Sequence, residues 1–238
     1  MVVWCKRAAA FVLAFVSASS MFSDSLHAQS LLGTKVQGTF LIGDRIVPLP
    51  AGEWTVIATN GDSRDTNLGR PLSRAYLAQL QGNTLSQWLD ISTNLEVNLA
   101  GWVRDKEICD RKDVHFGFSD SNYNLNDASC WVLNHFGQAL GSKPSQAGVD
   151  FFRWSDSRGR PNTSLLLANF FSKRGDFLRV LHHFNPVVAG FPDTPTATWA
   201  GNPWHADLAA KDPKKLQFLR TLKPVGEKEF DLFKGVLR

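Results

Sequence analysis

Between residues 36 and 95, apolar and polar side chains alternate over short distances, as in strands whose two sides meet different surroundings. Trp54, Val56 and Ala58 interleave with Thr55, Ile57 and Thr59, which predicts a half-buried strand. Residues 39–42 and 45–49 flank Gly43-Asp44, a two-residue turn. The clearest hairpin joins 75–81 to 84–93 through Gly82-Asn83, both of which tolerate the positive φ of a type I′ turn.

The pattern changes in the centre. Asp127 stands where a cap would, and Val132, Phe136, Ala139 and Leu140 then fall on one helical face that Gly141 ends. Residues 145–156 suit a helix or a strand, with Phe151, Phe152 and Trp154 as their apolar content. Strand character returns at 164–172 and 176–184 around Lys173-Arg174-Gly175, and Pro186 closes that hairpin. A loop with Pro192, Pro195 and Pro203 follows. Asn202 and Asp212 each precede a proline, a capping side chain followed by the residue that suits the first helical position. Leu216, Phe218, Leu219 and Leu222 give the second of these helices an apolar side; Pro224 interrupts it, and Phe230, Phe233 and Leu237 mark a last short helix. With no internal repeat and no long linker, 29–238 reads as a single α+β domain: antiparallel β-hairpins forming a sheet or sheets, helices packed on one face, and C-terminal helices. A subdivision near residue 100 stays open.

The first thirty residues change the setting. Lys6 and Arg7 precede an apolar run from Ala8, followed by small residues, which is the order of a secretory signal peptide. At about fifteen residues the run is short of the roughly twenty that span a bilayer, so the mature chain is expected to carry no transmembrane segment. Cleavage after Ala28 leaves Gln29 first; Ala18 is the alternative. The expected location is the periplasm or cell envelope. The mature chain then holds 24 basic and 21 acidic residues, a small excess with no clustering, which gives no nucleic-acid footprint. Its seven tryptophans and fourteen phenylalanines can fill a large core.

Export also decides how the cysteines count. Cys5 leaves with the signal, and Cys109 and Cys130 remain as an even pair in an oxidising compartment. A bond between them closes a loop of about 22 residues, worth about 3 kcal/mol in the chain-entropy account. The loop is rich in Asp, Asn and Ser, with little apolar surface to order itself.

Catalytic motifs are incomplete. Gly61-Asp62-Ser63 follows a strand, as the nucleophile block of GDSL-type hydrolases does, yet Arg64 replaces the usual leucine. No late Asp-x-x-His follows to supply a base, and without one Ser63 is a polar turn residue. His182 and His183 are adjacent on a strand and point to opposite faces, and no histidine spacing fits zinc, so no metal and no cofactor are implied. Trp199, Trp204, His205 and Asp207 form the densest polar–aromatic cluster, a candidate platform for a sugar or peptide; the plainer account is that the indoles anchor a loop to the core. Arg174-Gly175-Asp176 is explained by turn chemistry, and Asn162-Thr163-Ser164 is a glycosylation sequon only in a eukaryotic host.

At residues 47–54 (VPLPAGEW), Cys109-Asp110-Arg111, Cys130-Trp131 and Asn202-Pro203-Trp204-His205, the chain resembles uncharacterised exported proteins of proteobacteria. The resemblance implies bacterial export and brings no activity, cofactor or catalytic residue. The expectation is an exported envelope protein, a non-enzymatic binding or accessory module whose partner is an envelope component or small ligand. The alternative is a hydrolase of an envelope polymer or ester, whose acid and base meet only in the fold.

Overall fold

The structure is a computed structural model that describes residues 31–60, 71–98, 102, 108–122, 127–137, 145–196 and 198–237. The expected signal segment 1–28 with Cys5, both expected cleavage sites, Gly61-Asp62-Ser63 and Ala139 to Gly141 lie outside these residues.

Among the described residues ten strands form in chain order: β1 (Lys35–Val36), β2 (Thr39–Ile42), β3 (Arg45–Pro48), β4 (Trp54–Thr59), β5 (Leu72–Gln81), β6 (Thr84–Asn94), β7 (Phe116–Ser119), β8 (Ala128–Gly137), β9 (Thr163–Lys173) and β10 (Asp176–Phe184). The helices are α1 (Gln146–Asp156), α2 (Ala206–Ala209) and α3 (Pro213–Phe233), with a 3-10 turn at Pro186–Ala189. Eight strands make one antiparallel sheet in the order β1-β4-β5-β6-β10-β9-β8-β7, and β2-β3 form a separate hairpin. The architecture is α+β. Because β6 pairs with β10, strands from both sides of residue 100 share one sheet.

The predicted hairpins form, with one change of turn chemistry. At Gly82-Asn83 only Gly82 takes positive φ, at 62°, so that turn is not type I′. Positive φ at both central residues occurs instead between β9 and β10, where Arg174 (52°) and Gly175 (89°) carry the I′ signature.

Three expectations are corrected. The helix read after Asp127 is strand β8. It lies between β7 and β9 and is buried on both faces, so it shows no alternation and the helical spacing arises by coincidence. Asp127 bridges Asn122 and caps nothing. Second, Pro224 does not divide the last helix: α3 runs through it for 21 residues. Proline costs one backbone hydrogen bond, but Leu219 and Leu222 before it and Gly226, Phe230 and Phe233 after it are buried together, and that packing holds the two halves in line. Third, no helix starts at Pro203. The Asn202 side chain accepts from Trp204 N (2.9 Å) and donates to Thr163 Oγ1 (2.8 Å), and the four-residue α2 begins after His205.

Alternation gives the sheet two faces. On one, Leu77, Leu89, Leu133 and Leu167 join Phe40, Ile42 and Val47 of the β2-β3 hairpin and the buried side of α3 in a single core. The other face carries two smaller clusters. Near α1, Phe151 stacks on Tyr76 (ring centres 4.8 Å apart) and tilts against Trp88 (5.8 Å). At the far end, Leu72, Phe170 and Phe177 surround Cys109 and Cys130, which are joined as a disulfide. A bulge in β4 between Val56 and Ala58 turns Trp54 and Val56 to the α3 core and Ala58 to the α1 cluster.

Candidate functional site

The four residues singled out by sequence occupy different surroundings. Trp204 is 3% exposed and packs on Phe191 and Phe218 in the main core. Trp199 is half-buried: the Arg111 guanidinium and the His135 ring lie 4.0 and 3.9 Å from its ring centre, and its Nε1 donates to Asp113 Oδ2 at 2.7 Å. His205 is buried and caps α2, its Nδ1 accepting from Asp207 N at 3.4 Å. Asp207 is exposed in that first turn.

Around Trp199 the fold brings together groups that are distant in sequence. Arg111 grips the Asp113 carboxylate through Nε and Nη2, and this hydrogen bonding holds Asp113 well below the usual carboxylate range. His115 Nε2 meets Trp204 O at 2.9 Å, and His135 Nε2 meets Trp199 O at 3.2 Å. Burial first, then the neighbouring imidazoles, push His135 down to about 4 and lower His115. The assembly ties the segment beside Cys109 to the 199–205 loop, and the Trp199 ring is already occupied by protein groups. Among the described residues, no group of three or more His, Cys, Asp or Glu is placed to hold a metal ion.

A second polar constellation, unseen from sequence, lies on the α1 face. Arg74 of β5 clasps Asp90 of β6 through two hydrogen bonds and donates to Ser145 Oγ at 3.4 Å. Burial raises the Asp90 carboxyl, but the Arg74 guanidinium, with Arg179 nearby, outweighs it and keeps Asp90 ionised below the usual range. Burial and then the Asp90 charge push the Tyr76 hydroxyl up, so it remains a phenol. Ser164 Oγ lies 2.9 Å from His183 Nδ1, which places a serine and a histidine in hydrogen-bond reach. That imidazole is stacked on Trp88 (4.6 Å) and crossed by Phe136 (5.3 Å), and burial pushes it down to about 3. So weak a base transfers little charge to a serine hydroxyl. The signal for this band was the placement of Arg74, Asp90, Ser92 and His183 at one parity of otherwise apolar strands.

The third location is a cleft of about 240 Å³ where the residues after β7, the start of β8 and the end of β9 meet the residues after α3. Phe171, Ala128 and Leu237 give it an apolar floor. Asp120 and Asp127 stand against Lys173 and Lys234, with the Ser121 and Ser129 hydroxyls among them. The loop keeps its own order: Ser129 Oγ donates to Asp120 O (2.9 Å), and Ser129 N donates to Ser121 Oγ (3.2 Å). Lys234 Nζ reaches Asp120 Oδ2 at 3.4 Å while both side chains remain more than half exposed. Sequence marked this loop only by its Asp, Asn and Ser content; Lys234 lies 114 residues away, and no local pattern links the two.

No protein-family model, curated protein or solved structure matches this chain.

Proposed function

We propose that this chain is an exported envelope protein, of the kind it resembles in proteobacteria, that binds a small polar ligand and performs no chemistry on it. The cleft carries the reading: about 240 Å³ with an apolar floor, two carboxylates and two ammonium groups suits a compact molecule bearing both signs of charge. Export is supported by the signal-like order of the first thirty residues and by the Cys109–Cys130 bond. Among the described residues no helix is long and apolar enough to cross a membrane. The hydrolase alternative draws on the Ser164–His183 contact, and the burial that holds His183 near 3 weighs against it.

The test is an NMR titration of the isotope-labelled protein with free amino acids, short peptides and amino sugars. Saturable shifts at Asp120, Ser121, Ser129 and Lys173 are expected, and a Lys173→Glu variant should weaken them. Ester or glycan hydrolysis that disappears in Ser164→Ala would overturn the reading, as would saturable binding confined to another face.

A further inference from the structure

Strand β7 ends the large sheet, and among the described residues no strand pairs with its outer edge. Asp120 N donates to Ser129 O at 2.8 Å, and in the β7–β8 register these two residues are the next opposed pair after Ser119 and Cys130. Antiparallel ladders alternate hydrogen-bonded and non-bonded pairs. Phe116 and Phe118 therefore bond to β8, and the backbone N–H and C=O of Gly117 and Ser119 point away from the sheet. Both residues are exposed, and among the described residues no backbone bond reaches those outward groups. Apart from its shortness, the edge carries little of the usual protection. Its sequence, Phe-Gly-Phe-Ser, holds no charge and no proline, and within Phe116–Ser119 the register to β8 is unbroken, with an irregularity just before it where His115 N donates to Leu133 O at 2.9 Å. Phe118 shares its parity with Trp131, so it extends the α3-side core to the rim: it meets Phe230 edge-on at 5.5 Å and is still 51% exposed.

We propose that β7 is a self-association edge, where two copies of this chain pair antiparallel, β7 to β7, into one continuous sheet. The strand is complementary to itself. Centring the two-fold axis on Phe118 sets Gly117 opposite Ser119 of the second copy, so the outward donors and acceptors of each meet those of the other. Phe118 then faces Phe118 of the second copy as a non-hydrogen-bonded pair, the arrangement with the closest side chains. A peptide of another protein could use the same backbone edge; a second copy brings to it a matching exposed phenylalanine on the two-fold axis.

The helices leave room. α3 packs over β8 and β9, which places its axis about 7 Å inside β7 for a strand spacing of about 4.8 Å. Across the new seam the two α3 axes are about 19 Å apart, wider than the ~10–12 Å diameter of a helix. With four residues per strand at its centre, the contact is small, so the association is a weak, reversible dimer.

Sedimentation of the purified protein from roughly 10 µM to 1 mM tests this, a range that brackets a weak interface. A concentration-dependent shift from monomer to dimer is expected. Ser119→Pro removes the outward N–H together with the Ser119 hydroxyl that meets Ser121 Oγ at 3.0 Å, leaves the β8 ladder intact and should weaken the dimer at least tenfold while the circular dichroism of the monomer is unchanged. Phe118→Cys reports the register independently, because oxidation should link two copies through that position, whereas Ser121→Cys should not. A monomer throughout the range overturns the proposal. So does a dimer that Ser119→Pro leaves intact, or one that Phe118→Cys does not trap.

Discussion

The two faces of the large sheet are stabilised by different means. The α3 face is covered by one long helix and the β2-β3 hairpin, and its apolar residues form one continuous core. Its main polar insertion is self-contained: His182 Nδ1 meets Glu229 Oε1 at 2.7 Å and Nε2 meets Gln87 Oε1 at 2.9 Å, both under cover of α3. The α1 face has two separate apolar clusters, one around Phe151 and one around the disulfide. Between them lies an ion pair, and a serine–histidine contact sits beside Trp88 at the end of the sheet away from the disulfide. A helix of 21 residues can close a core by area alone, whereas the 11-residue α1 covers only its own end. The α1 face therefore depends on single interactions, and each is a point where it can be broken.

The largest effect is expected at the ion pair. Asp90→Ala leaves the Arg74 guanidinium, whose side chain is only 16% exposed, without its carboxylate. Removing one partner of a buried pair costs about 3–5 kcal/mol. Urea unfolding should show that loss, and near-ultraviolet circular dichroism should report disturbance of Tyr76 and Trp88 beside it. An Asp90→Ala protein within 1 kcal/mol of wild type, on the order of a surface pair, would mean that the α1 face is as self-sufficient as the α3 face.

Acid should act next. His183 titrates near 3 when folded, against about 6.5 when unfolded, so the unfolded chain binds more protons between those values. Stability is full above about pH 6.5 and falls as the pH drops, by up to about 1.4 kcal/mol per pH unit for this one group. His135 has the same sign over the narrower window down to about 4. His183→Phe keeps a ring against Trp88 and should remove one proton from the slope of unfolding free energy against pH. An unchanged slope would show that the imidazole ionises freely where it stands.

The α3 face should resist polar substitutions better and volume changes worse. A Cβ on Gly226 would lie 2.7 Å from the Trp131 ring and 2.8 Å from Leu167 Cδ1. Alanine gains about 1 kcal/mol in helix propensity over glycine. Trp131 is buried and cannot retreat, so overpacking wins, and Gly226→Ala should lower stability by about 1–3 kcal/mol. A stabilised Gly226→Ala protein in thermal unfolding would refute the close approach of α3 to the sheet.

These contrasts also explain what could be read from sequence. Hairpins such as β5-β6 and β9-β10 are local: alternation and a two-residue turn specify them, and only the turn type at Gly82 was misjudged. β8 was misread because burial on both faces removes the alternation that identifies a strand. α3 was divided because a proline is a local signal, and the packing that overrides it comes from β8 and β9. The cysteine pair was legible because the expected signal segment takes Cys5 out of the count and leaves two. The cleft was not, since Asp120 and Lys234 meet only after the sheet and α3 have formed. Trp199 and Trp204 stood out as a pair because they are near in sequence; the fold gives one to the core and the other to Arg111 and His135.

The smallest predicted effect tests whether the faces are independent. Ser145 caps α1 by accepting from Gly148 N at 3.2 Å, and it also accepts from Arg74. Ser145→Ala should cost about 1 kcal/mol, the usual value of a cap. Combined with Gly226→Ala on the opposite face, the two losses should add to within about 0.5 kcal/mol, as sites with no shared partner do. Combined with Asp90→Ala on its own face they should not add, because Arg74 links the cap to the ion pair. Equal coupling in both double mutants would show that the sheet transmits strain between its faces and that the division drawn from the packing is not energetic.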